Sequence, residues 1–172
     1  MLAGLLVVAG CRDHTQRDAD DYQKGVDAYA KGDYAIALGE FKPLAERSNA
    51  QAQFSLGMMY HQGRGVPQDD KEAAAWWGKA AEQGHAEAQD NLGFRYARGQ
   101  GVPQDWVQAD KWFTIASVSG NESAMKNKKV IEVHMPAEKI AEANKLAQEW
   151  REQHQKLPGL VEATAAHPSS SP

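Results

Sequence analysis

The chain has 172 residues, a formal net charge of −4 and a single cysteine, Cys11. That length admits one domain or one short array, and the mildly acidic balance speaks against nucleic acid as a partner. One cysteine excludes an internal disulfide framework and any cysteine-rich metal site.

Residues 1–10, MLAGLLVVAG, form an uncharged apolar run. It is about as long as a signal-peptide core and well short of the ~20 residues a transmembrane helix needs. The run ends Val8-Ala9-Gly10-Cys11, which resembles the bacterial lipobox, although no Lys or Arg precedes it. The resemblance implies lipidation at Cys11 after removal of residues 1–10. The expected location is then the bacterial envelope, on a periplasm-facing membrane and more readily the outer one. Residues 11–20, polar and charged, read as a tether.

Residues 21–49 read as a degenerate first copy of the unit that follows. Lys31-Gly32-Asp33-Tyr34 stands for a shortened turn, with Asp33 matching Asp69, Ala37 matching Ala73 and Phe41 matching Trp77. The unit itself is plain from self-comparison. Residues 50–85 and 86–121 are identical at 16 of 36 positions, where unrelated segments would share roughly two or three.

Each copy predicts two amphipathic helices. In the first helix Ala52, Leu56, Met59 and Tyr60 lie on one stripe, answered by Ala88, Leu92 and Tyr96. In the second, Ala73, Trp76, Trp77, Ala80 and Ala81 are answered by Ala109, Trp112, Phe113 and Ala116. The aromatic pairs therefore read as core rather than as ligand platforms. Between the helices stand Gly63, Gly65 and Pro67 in one copy and Gly99, Gly101 and Pro103 in the other. These glycines suit the positive φ that ends a helix, and the prolines stiffen the approach to the next. Asp69 and Asp105 fit N-caps, with Glu72 and Gln108 as capping-box partners reaching back to the cap amide. Gly84 and Gly120 fit the residue that closes each second helix.

Residues 122–156 read as C-terminal capping helices. One starts at Glu122, and Pro136 fits the first turn of a longer one bearing Ile140, Ala143, Ala147 and Trp150 on one face. Residues 157–172, rich in Pro, Ser and Ala, read as a disordered tail.

Leu-Gly-x-x-Tyr, Gly-x-Gly-Val-Pro-Gln-Asp, Ala-x-x-Trp and a closing Gly, spaced over 36 residues, resemble the Sel-one-like repeat family, relatives of the tetratricopeptide repeats. The resemblance covers residues 22–150 and implies an all-α fold, an α/α superhelical solenoid of about three helix-turn-helix repeats plus a C-terminal capping helix. It also implies a non-catalytic adaptor for protein–protein interaction. A cysteine-rich branch of the family is linked to β-lactam chemistry, and these repeats carry no cysteine. The alternative is a β-lactam- or peptidoglycan-binding or -hydrolysing envelope enzyme.

The residues nominate no catalytic group, metal or cofactor. Six histidines show no metal-binding spacing, and no phosphate loop or nucleophile elbow occurs. Lys126, Lys128 and Lys129 form a basic cluster, read as a solvated helix face with contact to anionic headgroups as the rival. Partner recognition is expected where the copies differ on the outward side of the first helices, at Phe54, Met58, Phe94, Arg95 and Arg98. The expected partner is another envelope protein, with membrane contact through the lipid anchor.

Overall fold

The computed structural model describes residues 6–155, with side chains for 15–154. The expected tail at 157–172 lies outside these residues, as does the side chain of Cys11. All secondary structure described is helical: α1 (Leu6–Lys31), α2 (Tyr34–Glu46), α3 (Ala50–Gln62), α4 (Asp70–Glu82), α5 (Ala86–Arg98), α6 (Trp106–Val118), α7 (Glu122–Glu132) and α8 (Ala137–Gln155). The fold is all-α, of the α/α-solenoid class. Two compact units meet in the chain within α4, the first ending at Ala80 and the second beginning at Ala81.

Residues 11–20, expected as a tether, instead belong to α1. The polar run supports itself with a helical hydrogen bond from Gln16 to Asp20 at 3.0 Å, and Asp18 meets Arg47 at 2.7 Å. Among the described residues no helix is long and apolar enough to cross a membrane.

Three hairpins are each fastened by an aromatic ring of the second helix packed against a glycine of the first. A Cβ on Gly57 would stand 2.6 Å from Trp77, one on Gly93 2.8 Å from Phe113, and one on Gly25 2.5 Å from Phe41. The third contact reproduces the same geometry between α1 and α2, with Phe41 in the place of Trp77. Trp77, Phe41 and Phe113 are all buried, whereas Trp76 keeps one face open to the Lys79 ammonium, 3.8 Å from its ring centre.

The long turns are built as their residues require. Gly63 and Gly99 end α3 and α5 in the left-handed region, and Gly65 and Gly101 repeat that geometry two residues on. The chain then returns to the helix it has just left: the Asp69 amide donates to the Tyr60 carbonyl at 3.0 Å and the Asp105 amide to Tyr96 at 2.9 Å. Asp69 and Asp105 are N-caps, their carboxylates accepting from the amides of Glu72 and Gln108 at 3.0 Å. The reciprocal half of the expected capping box is absent. The cap amides are already taken by the tyrosine carbonyls, so Glu72 and Gln108 have no donor to reach back to. Gly84 and Gly120, with φ of +87° and +88°, follow α4 and α6. Pro136 stands one place earlier than expected, its carbonyl accepting from Ile140 as an N-cap's does.

Two devices recur at one repeat spacing without a motif to announce them. Gln53 and Gln89 are buried, and each donates its side-chain amide at 3.0 Å to a carbonyl near the end of the preceding second helix, Ala45 and Ala81. The first helices α3, α5 and α7 are capped by Asn49, His85 and Asn121, each accepting from the amide three residues on. His85 accepts through Nδ1, which only the imidazole unprotonated at that atom can do. Burial lowers its pKa from the ordinary 6.5, against a smaller upward pull from Glu87. The unfolded chain therefore holds more protons than the fold, so this residue's contribution is complete above its unfolded pKa and is lost as pH falls. His85→Asn is expected to stabilise unit 2 within the ~0.5–2 kcal/mol range of cap effects. Thermal melts should show a gain larger at pH 5 than at pH 8; an equal gain at both would dissociate the cap from titration.

Within unit 2, α8 covers the last second helix. Trp150 packs edge-on against Trp112 with centroids 6.0 Å apart, stacks on His154 and donates its indole N–H to Glu82 at 2.7 Å.

Candidate functional site

Two apolar grooves open between successive first helices, one in each unit. In unit 1 the groove has a volume of about 180 Å³. Its walls are Val26 and Tyr29 of α1 and Phe54, Ser55 and Met58 of α3, and its floor is Phe41 of α2. Tyr29 closes one lip: its hydroxyl donates to Gln62 at 2.6 Å and accepts from Arg64 at 2.8 Å. The Arg64 guanidinium lies 5.3 and 5.4 Å from the centres of the Tyr29 and Tyr34 rings. Tyr22 and Ser55 share a hydroxyl hydrogen bond of 3.2 Å across the α1–α3 seam.

In unit 2 a groove of about 240 Å³ lies between α5 and α7 over Phe113 of α6. The two grooves are built from equivalent positions. Phe94 and Ala97 replace Val26 and Tyr29, Phe113 replaces Phe41, and Asn127 and Val130 replace Ser55 and Met58. Asn127 donates to Asp90 at 2.8 Å, tying α7 to α5. Trp106 and His134 close one end, with ring centroids 6.1 Å apart. The packing residues are held fixed by the repeat while the lining changes its chemistry.

Of the five residues expected to face a partner, Phe54 and Met58 line the first groove and Phe94 and Arg98 the second. Arg95 does not. It is 6% exposed and donates to Gln100 at 2.8 Å, occupying in its helix the inward position that Met59 holds in α3. Arg98, three residues on, is exposed and lays its guanidinium 4.6 Å from the centre of the Phe94 ring. The lysine cluster also divides: Lys126 and Lys129 are exposed, but Lys128 turns inward to Asp110 at 3.2 Å.

Other lining residues, among them Val26, Tyr29, Trp106, Val130 and His134, escape a comparison of the two clear copies. Val26 and Tyr29 precede the two clear copies and Val130 and His134 follow them, so no second clear copy stands beside them, while Trp106 aligns with Asp70, a residue of quite different chemistry. A mostly polar recess of about 410 Å³ lies between α6 and α8, lined by Thr114, Asn144, Gln148, Arg151 and Glu152 among others. Among the described residues no three His, Cys, Asp or Glu side chains converge as a metal site would require. The lining of the two apolar grooves offers no carboxylate pair and no activated nucleophile. What such walls do is exclude water from inserted apolar side chains.

Comparison with known proteins agrees with this geometry. Residues 50–85 and 86–121 each match the family model described as Sel1 repeat. Among solved structures, a protective antigen present in uropathogenic Escherichia coli strains and displaying an SLR fold superimposes with a TM-score of 0.75 at 30% identity over 90% of the chain. A Sel1 repeat protein from Oxalobacter formigenes gives 0.63 at 28% over 75%. The chain spans 35% of the first of these proteins and 55% of the second. No curated protein sequence matches.

Proposed function

Since residues 50–121 are two Sel1 repeats in an all-α chain, we propose that the protein is a non-catalytic adaptor that holds another protein in the grooves between its first helices. One observation carries this reading. Equivalent positions line both grooves, and their wall side chains differ while the glycine–aromatic contact beneath each, Gly25 with Phe41 and Gly93 with Phe113, repeats. A scaffold held constant under a variable apolar lining serves recognition rather than turnover.

The finer reading is a bacterial envelope lipoprotein anchored through Cys11 and facing the periplasm. The apolar run of residues 1–10 ending in Val-Ala-Gly-Cys supports it, and likeness to a protective antigen of Escherichia coli is in keeping with it. Because α1 runs from Leu6 to Lys31, a lipid on Cys11 would stand roughly 22 Å along the helix axis from Val26 at the groove wall.

The test is in-cell crosslinking of a tagged chain, followed by membrane fractionation. Wild type is expected in the membrane fraction with a discrete crosslinked partner. Cys11→Ser is expected in the soluble fraction, and Met58→Asp should lose the partner while keeping its melting temperature. Turnover of nitrocefin or release of muropeptides by the purified chain would overturn the adaptor reading in favour of an enzyme.

A further inference from the structure

The two grooves differ most in charge at their rims, and the difference says what the second one takes. In unit 1 the nearby cation, Arg64, is already committed to Tyr29 and lies by two tyrosine rings. In unit 2 Arg98 lies across the Phe94 face and Lys126 projects from α7 one turn before Val130. Neither has a carboxylate at ion-pair distance among the described residues. Lys129 adds a third exposed cation on the same helix; of the nearby acids, Glu132 pairs with Lys128, Asp90 of α5 accepts from Asn127, and Glu122 lies exposed on α7. The exposed cations Arg98, Lys126 and Lys129 thus outnumber the acids Asp90 and Glu122 left beside them, in a chain whose net charge is −4.

The apolar surface does not stop at the groove. Val130 is 64% exposed and Val133, at the end of the same helix, 78%. Apolar side chains this exposed, continuous with a recess and edged by cations, are the signature of a surface that another molecule covers. A bilayer surface is flat and supplies no side chain to occupy a recess floored by Phe113. A peptide segment does.

We propose that the groove between α5 and α7 binds an acidic, amphipathic segment of a protein partner: an apolar side chain fills the recess between Phe94, Trp106 and Val130, and neighbouring carboxylates meet Arg98 and Lys126. This deepens the adaptor reading and rests on it. Charge pairing at the rim sets orientation and encounter rate, and the apolar insertion holds the segment in place.

The probe is a fluorescein-labelled, 15-residue helical peptide of leucine and glutamate, titrated into the full chain by anisotropy. A lysine-for-glutamate peptide and vesicles of phosphatidylglycerol run in parallel. The acidic peptide is expected to bind at least tenfold more tightly than the basic one and to weaken as salt rises. Arg98→Glu with Lys126→Glu should cost at least tenfold, and so should Val130→Asp, with melting temperatures unchanged because all three positions are exposed. Met58→Asp should leave this binding intact. Equal binding of both peptides, indifference to the charge reversals, or vesicle binding without peptide binding overturns the proposal. The two readings separate in cells: if the charge-reversed chain crosslinks the same partner as wild type, this groove is wrongly assigned and the adaptor stands. No partner with either chain removes the adaptor reading itself.

Discussion

Gly57→Ala is expected to destabilise unit 1 by about 1–3 kcal/mol, although alanine is the better helix former by about 1 kcal/mol. The new Cβ would sit 2.6 Å from two atoms of the Trp77 indole. That ring cannot yield: it is fully buried, and its N–H is held by the Phe54 carbonyl at 3.3 Å. Accommodation therefore needs α3 and α4 to separate, which loosens every contact along their seam. Gly78, on the same α4 helix, is the control, since a Cβ there meets nothing within 4 Å. Gly78→Ala should gain up to about 1 kcal/mol. Chemical denaturation of both variants checks the pair; a stable Gly57→Ala would mean that the close approach is not what fixes the hairpin.

That contact shows how far the repeat was legible before the fold. The spacing of glycine, tyrosine, proline, aspartate and tryptophan announced the hairpins, because each of those residue types has a narrow local use: a positive φ, a cap, a large buried ring. Gly57 and Gly93 were visible as repeated letters, but their purpose was not. A glycine mid-helix has no local reading, and only the partner helix supplies one. Gln53 and Gln89 are the same case, identical in both copies yet explained only by carbonyls eight residues earlier. Arg95 misled for the opposite reason. Variation between copies suggested a surface position, but the core had simply exchanged Met59 for an arginine with its own hydrogen-bond partner. Difference between repeats marks a free surface only where the side chain points outward, and that depends on neighbouring helices.

Lys128→Met should be the more damaging change, costing unit 2 about 3–5 kcal/mol near neutral pH. Asp110 is fully buried, and one of its oxygens has no hydrogen-bond partner. The other faces Lys128 at 3.2 Å, the cation that also reaches Thr114 at 2.6 Å, Asn144 at 3.2 Å and Glu132 at 3.1 Å. One ammonium thus joins α6, α7 and α8, and its removal strands a buried carboxylate beside another acid. Burial already pushes the Asp110 pKa above its ordinary 3.8 despite the pull of Lys128. A raised folded pKa means that the fold holds the proton more tightly than the unfolded chain. The stability due to Asp110 is accordingly complete below pH 3.8 and is lost as pH rises through the folded value. Two consequences separate this account from one of lost packing. The deficit of Lys128→Met should shrink on acidification towards pH 4, because a protonated Asp110 needs no counter-charge. Asp110→Asn should be tolerated within about 1 kcal/mol and should rescue most of the Lys128→Met loss in the double variant. If the two single losses simply add, Asp110 and Lys128 do not act as a pair, and α8 is held by Trp150 and its apolar face alone.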